Sequence, residues 1–223
     1  MSNVEGMTKC KTWIARRLFR RSGFVIDSSL VIRHSSFRSE ASFTVIELLL
    51  VIAIIIILAG LILSTAGYVQ KKGARARAEA EIAAISAALE SYKADNGIYP
   101  TDSNTNALKP NTMGDPTQTS YQNASLSLYK AISGDADNDS GRIAESKSYF
   151  PFKPNELYPQ TQTQAVTYIR DPFRKENSYG YSTVKSSNPT GTDGYNPTYD
   201  LWSTGGVISS ANPPDQTQWI KNW

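Results

Sequence analysis

The sequence predicts an α+β chain in which one long amino-terminal helix, apolar in its first half and amphipathic in its second, packs on a small antiparallel sheet. Three observations carry that reading: a 21-residue apolar run at 43–63, an alanine-rich, proline-free continuation to residue 95, and a switch after Gly97 to Tyr, Pro, Asn, Thr, Ser and Gly. Charge divides along the same line. The 223 residues have a formal net charge of +3, but residues 1–42 hold eight Lys and Arg against three Asp and Glu, a net +5, leaving −2 for the rest. A basic head on a faintly acidic body is what a membrane-targeting leader produces, and it argues against a nucleic-acid-binding surface spread over the chain. The single cysteine and histidine, Cys10 and His34, both lie in that head. Without the head no thiol or imidazole remains, so nucleophilic triads, zinc hydrolysis and histidine general-base chemistry lose their usual residues. The expectation is that the protein is not an enzyme; a membrane-anchored hydrolase working through Asp or Ser has no motif to support it.

Four segments follow: a basic leader at 1–42, a transmembrane helix half at 43–67, an amphipathic half at 68–96 and a loop-rich α+β domain at 97–223. The leader repeats itself once, in Val25-Ile26-Asp27-Ser28-Ser29 and Val31-Ile32-Arg33-His34-Ser35. Two copies are too few for a repeat fold and fit equally a translated nucleotide repeat ahead of a later start codon. In 43–63 only Thr44, Glu47 and Gly60 interrupt the apolar residues. At 1.5 Å per residue the run spans about 31 Å as a helix, matching a hydrocarbon core of roughly 30 Å.

Beyond residue 63 the helix signals continue. Arg75 with Glu79 and Arg77 with Glu81 stand four apart, and Glu90 with Lys93 three apart, lacing one face with opposite charges. Ala80, Ala83, Ala84, Ala87, Ala88 and Tyr92, with Ile82, Ile85 and Leu89, make the expected packing face. Asn96-Gly97, with Pro100 beyond, is the stop signal. In the outer domain, 123–133 reads as a short helix capped by Asn123 or Ser125 with Leu126, Leu128, Tyr129 and Ile132 inward. Segments 165–169, 178–184 and 199–203 read as three antiparallel strands, with 185–198 a long connection between the last two.

Charge, small residue and apolar run meet at Ala41-Ser42-Phe43-Thr44-Val45-Ile46-Glu47-Leu48-Leu49. This stretch resembles the processing motif of type IV prepilins, with Ser42 in place of the usual glycine. The resemblance implies a pilin-like fold, cleavage by a prepilin peptidase between Ser42 and Phe43, and methylation of the new Phe43 amine. It also implies that the Glu47 carboxylate pairs with the terminal amine of a neighbouring subunit. An acidic side chain in a membrane helix costs roughly 2.5 to 3.5 kcal/mol on insertion scales, so something must offset it; the plainer alternative is a glutamate snorkelling to the interface.

Towards the other end, Asp171-Pro172-Phe173, Tyr179-Gly180-Tyr181, Tyr199-Asp200-Leu201-Trp202-Ser203-Thr204-Gly205-Gly206 and the terminal Ile220-Lys221-Asn222-Trp223 are similar to the major pseudopilins of type II secretion systems. The resemblance implies a structural subunit whose partners are identical subunits and minor pilins in a helical filament, prepilin peptidase, an inner-membrane assembly platform and membrane lipid, with no nucleic acid. It places the chain in the bacterial inner membrane with its carboxyl-terminal domain periplasmic, and then in a pilus or pseudopilus. The alternative is a membrane-anchored extracytoplasmic ligand-binding protein. No cofactor is expected beyond calcium, which members of that branch bind in a loop after the Tyr-Asp-Leu strand. Here that loop offers Asp200, Ser203 and Asp215, few oxygens for a calcium ion. A second candidate, Asp135, Asp137 and Asp139 in the run 134–141, has alternating carboxylates but no glycine at the sixth position, and reads otherwise as a solvated acidic turn. Lys71, Lys72, Arg75 and Arg77, just past the apolar run, suit phospholipid or DNA contact. Because Glu79 and Glu81 follow at once, helix-face salt bridges are their expected use.

Overall fold

The computed structural model describes residues 43–223; the leader, including Ser42 of the proposed cleavage junction and the internal echo, lies outside them. The chain divides into a unit ending at Leu50 and a unit from Val51 to Trp223. Helix α1, Val45–Asn96, opens at Thr44 and carries an 18-residue window of mean hydropathy 3.3, none of it buried. It closes where the sequence signals place the stop. The Gly97 N–H bonds the Lys93 carbonyl at 2.8 Å, and Gly97 takes φ +79°, a left-handed conformation that side chains disfavour.

The outer half of α1 buries Ala78, Ile82, Ile85, Ala88 and Leu89. Spacing of three and four residues puts these on one face. The alanine face expected from the sequence is only partly used: Ala80, Ala83, Ala84 and Ala87 are exposed. Burial of Ile and Leu removes more apolar area from water than burial of alanine, so the larger side chains take the core.

After α1 come α2, Ser103–Ala107, and α3, Thr119–Ser133. At α2 the Asp102 side chain accepts the Thr105 N–H and the Thr105 hydroxyl accepts the Asp102 N–H, a reciprocal cap. Helix α3 starts four residues earlier than its sequence signals indicate. Its cap residue is Gln118, with no side-chain bond, and Asn123 and Ser125 are interior positions. Ser125 is instead buried and bonds the Ile169 backbone at 2.9 Å.

The strands are shorter and more numerous than expected, and form two sheets rather than one. Strand β1, Leu157–Tyr158, pairs antiparallel with β2, Tyr168–Ile169. Strands β3, Gly180–Ser182, β4, Asp200–Ser203, and β5, Ile220–Lys221, make a second antiparallel sheet in the order β3-β4-β5. A single-turn helix α4, Val184–Ser187, occupies the start of the segment read as a connection. Gly180 lies opposite Trp202 in the β3-β4 register. A Cβ there would come 2.2 Å from the fully buried indole, so only glycine lets β3 lie flat against it.

One core joins Ile82, Ile85 and Leu89 of α1 to Leu128 and Ile132 of α3, to Tyr179 just before β3, and to Tyr181 and Leu201 of the larger sheet. A smaller cluster gathers Leu108, Tyr121 and Trp202 under Trp219, with the indoles of Trp202 and Trp219 stacked at 5.9 Å.

Candidate functional site

The start of α1, with the two residues before it, holds the stretch that resembles a processing motif. Phe43 is 81% exposed. The Thr44 backbone N–H and hydroxyl each donate to Oε2 of Glu47 at 2.9 Å, and the Thr44 hydroxyl accepts the Glu47 N–H at 3.3 Å. This is a reciprocal cap of the type that Thr-x-x-Glu specifies, satisfying two otherwise orphaned backbone donors. Thr44 thus caps the helix, and the Thr-x-x-Glu spacing signals it. Oε1 of Glu47 accepts no hydrogen bond among the described residues, so the carboxylate keeps one oxygen for a further donor.

A second carboxylate of α1 turns inward. Glu81 accepts the Tyr179 hydroxyl at 2.7 Å and forms no ion pair with Arg77, contrary to the expected i,i+4 pairing. Burial pushes Glu81 above the usual carboxylate range despite the Tyr179 bond, and Glu156 and Asp171 push the same way. Asp171 is buried and receives the Ser203 hydroxyl and, at 2.8 Å, the Phe173 N–H. Burial still pushes Asp171 up to about 6. The contact between Glu81 and Tyr179 joins residues 98 apart, and no local pattern signals it. Of the other expected helix pairs, Arg75 meets Glu79 at 3.1 Å. Glu90 and Lys93 are separated by the Tyr99 hydroxyl, which donates to Glu90 at 2.8 Å and accepts from Lys93 at 3.3 Å.

The calcium candidates behave differently from one another. Oxygens of Asp135, Asp137 and Asp139 lie within 4.8 Å of each other, so these three could share a cation. Each also has a local partner. Asp135 is buried and accepts the Tyr129 hydroxyl and the Asn138 N–H, both at 2.8 Å; Asp137 accepts the Asp139 N–H at 3.2 Å; Asp139 accepts the Gly141 N–H at 2.7 Å. Asn138 bonds both the N–H and the carbonyl of Val166, tying the run to the domain. At the other candidate, both Asp200 oxygens accept backbone N–H groups, from Tyr195 and Asn196 at 2.8 Å. Ser203 is committed to Asp171, and Asp215 accepts the Thr217 N–H at 3.0 Å. Both carboxylates of that set are thus engaged by backbone N–H groups of their own loops.

The outer domain also carries a cleft of about 310 Å³ lined by Tyr129, Asp135, Arg142, Phe150, Phe152 and Leu157 among others. Arg142 bonds the Gln164 and Pro159 carbonyls, while its Nη1 is buried without a partner. The aromatic residues of the outer domain pack largely on one another: Tyr195 lies on Trp223 at 4.7 Å, and Tyr181 and Trp202 are fully buried. Comparison of the chain with family models, with curated proteins and with solved structures finds no match.

Proposed function

We propose that the chain is a structural subunit of a type II secretion pseudopilus or type IV pilus-like filament, processed by a prepilin peptidase and polymerised through α1. The observation that carries this reading is the first half of α1. It is apolar enough to cross a membrane, has no protein cover, and places Glu47 in its opening turn with one carboxylate oxygen unengaged. A helix apolar on every face must be covered by lipid or by like helices. Before assembly lipid covers it; in the filament, neighbouring copies of α1 do so. Cleavage between Ser42 and Phe43 creates an amine one residue from Thr44, and Glu47 of another subunit takes that amine as its partner. The Thr44 cap holds the carboxylate in place meanwhile. The alternative, a membrane-anchored ligand-binding protein, draws on the Arg142 cleft and needs neither Glu47 nor the junction.

The test separates pairing from capping. Glu47→Ala should stay cleaved and membrane-bound while sheared filaments fall at least a hundredfold, since stranding one member of a buried ion pair typically costs 3 to 5 kcal/mol. Thr44→Val, which removes the cap hydroxyl and keeps the carboxylate, should assemble with a small defect. Normal filament yield from Glu47→Ala, or an intact residue 1–42 segment by mass spectrometry of assembled material, would overturn the proposal in favour of the tethered reading.

A further inference from the structure

We infer that the turn of α1 from Tyr68 to Arg75, with the loops facing it, forms a binding site for the phosphodiester headgroup of an anionic phospholipid. The inference rests on the membrane-spanning reading of α1 and not on filament assembly. Helix-face salt bridges, the use expected for this basic cluster, account for only one of its members: Arg75 meets Glu79. Among the described residues, Lys71 and Lys72 form no ion pair. They line a cleft of about 180 Å³ together with Tyr68, Arg75, Phe173, Gly205 and Gln218.

The cleft is built by the fold. Arg75 donates from Nη1 to the Gln218 carbonyl at 3.3 Å, which draws the chain before β5 onto α1. Gly205 takes φ +66°, and a Cβ there would lie 2.2 Å from the Gln218 carbonyl oxygen. Only glycine allows that wall to close. Phe173 and Tyr68 supply apolar surface beside two ammonium groups, a combination that suits a phosphate joined to a glycerol and acyl chains.

Depth selects a lipid as the source of the phosphate. Leu63 ends the apolar run. Tyr68 follows about 7.5 Å further along the helix axis, with Lys71 and Lys72 about 12 to 13.5 Å beyond Leu63. Side chains on a helix lean toward its amino terminus, which here is the bilayer side. The Lys72 ammonium does this visibly, sitting 5.2 Å from the centre of the Tyr68 ring one turn back. Both lysines therefore reach into the headgroup layer, and aromatic rings such as Tyr68 favour that level.

The test uses the full-length chain in vesicles of zwitterionic lipid containing spin-labelled phosphatidylglycerol or spin-labelled phosphatidylcholine, with restricted lipid read by electron paramagnetic resonance. The natural chain should prefer the anionic label. Lys71→Gln with Lys72→Gln should lower that preference by roughly 5-fold per lysine at low salt. Lys147→Gln with Lys153→Gln, an equal charge change in the outer domain, should leave it intact. Equal preference in the natural chain and the Lys71 and Lys72 variant would overturn the site, as would displacement of the label by inorganic phosphate at constant ionic strength, which would mark a free-anion site. Flotation of the same vesicles reports insertion separately: a chain that floats without the preference defeats this site alone, and one that does not float defeats the membrane reading as well.

Discussion

Between Ala78 and Leu89, α1 buries its aliphatic side chains against α3 and the larger sheet, whereas in the apolar half Ile55, Ile56 and Ile57 remain 57 to 65% exposed. Glu47 in the first half and Glu81 in the second are satisfied differently. Glu47 is held by Thr44, three residues away; Glu81 is held by Tyr179, which comes from another element entirely. One continuous helix thus has a half whose solvent is its own domain and a half whose solvent must come from outside. Mean hydropathy separates them, at 3.3 in the apolar window, and so does the arrangement of the apolar residues. The distinction lies in whether the aliphatic residues keep to one face, as Ile82, Ile85 and Leu89 do, or surround the helix.

The largest effect that can break this comparison comes from deleting equal volumes in the two halves. Leu89→Ala should destabilise the outer domain by about 2 to 5 kcal/mol, because its site is fully enclosed. Ile55→Ala should change the unfolding free energy by less than about 0.5 kcal/mol, since no protein cavity is created. Denaturant unfolding of the full chain in detergent, followed by the fluorescence of Trp202 and Trp219, measures both. Equal losses would mean that the apolar half has protein cover after all.

The next effect sharpens the electrostatic side. Asp171, raised to about 6 by burial, favours its neutral form on folding. Its folded value lies above its unfolded value of about 3.9, so its contribution is fully favourable below about pH 4 and is lost as pH rises through 6. The size is on the order of 2 to 3 kcal/mol. Asp171→Asn should remove that loss, so that stability curves of the two proteins diverge between pH 4 and 7. Glu81 is shifted in the same direction and leaves a residual slope of the same sign in the variant. Parallel curves would show that the buried carboxylate is solvated.

The smallest effect concerns local capping. Asp102 accepts the Thr105 N–H and the Ser127 hydroxyl, at 2.8 and 2.6 Å. Asp102→Ala should cost about 1 kcal/mol, typical of a lost amino-terminal cap. The same unfolding assay reads it.

Features written in short-range pattern were legible in the sequence. The limits of α1 follow from Thr44, Asn96 and Gly97, and the central strands from Tyr181 and the Tyr199-Asp200-Leu201 run. Strands β1 and β5, two residues each, were not legible because pairing to a distant partner, and not their own composition, makes them strands. The start of α3 was missed because Gln118 caps it without a side-chain bond, while the better capping residues Asn123 and Ser125 sit inside the helix. Phe43 and Glu47 are marked by the motif resemblance, and the fold places both at the start of α1. Thr44 was equally available as the first residue of Thr-x-x-Glu. The inward turn of Glu81 and the burial of Asp171 were not legible, because burial of a carboxylate is a tertiary property.

The way α1 is seated also sets how the domain carries load. Ala78, Ile82, Ile85 and Leu89 form a row along the helix axis, with Arg75 tied to the Gln218 carbonyl at its amino-terminal end. Tension applied along the axis strains every contact in that row at once, in shear. A sideways pull would open them one after another, like a zip, and meet far less resistance. Forced detachment is governed by the unfolding barrier rather than by equilibrium stability. The outer domain is therefore built to follow its helix when the helix is drawn lengthwise.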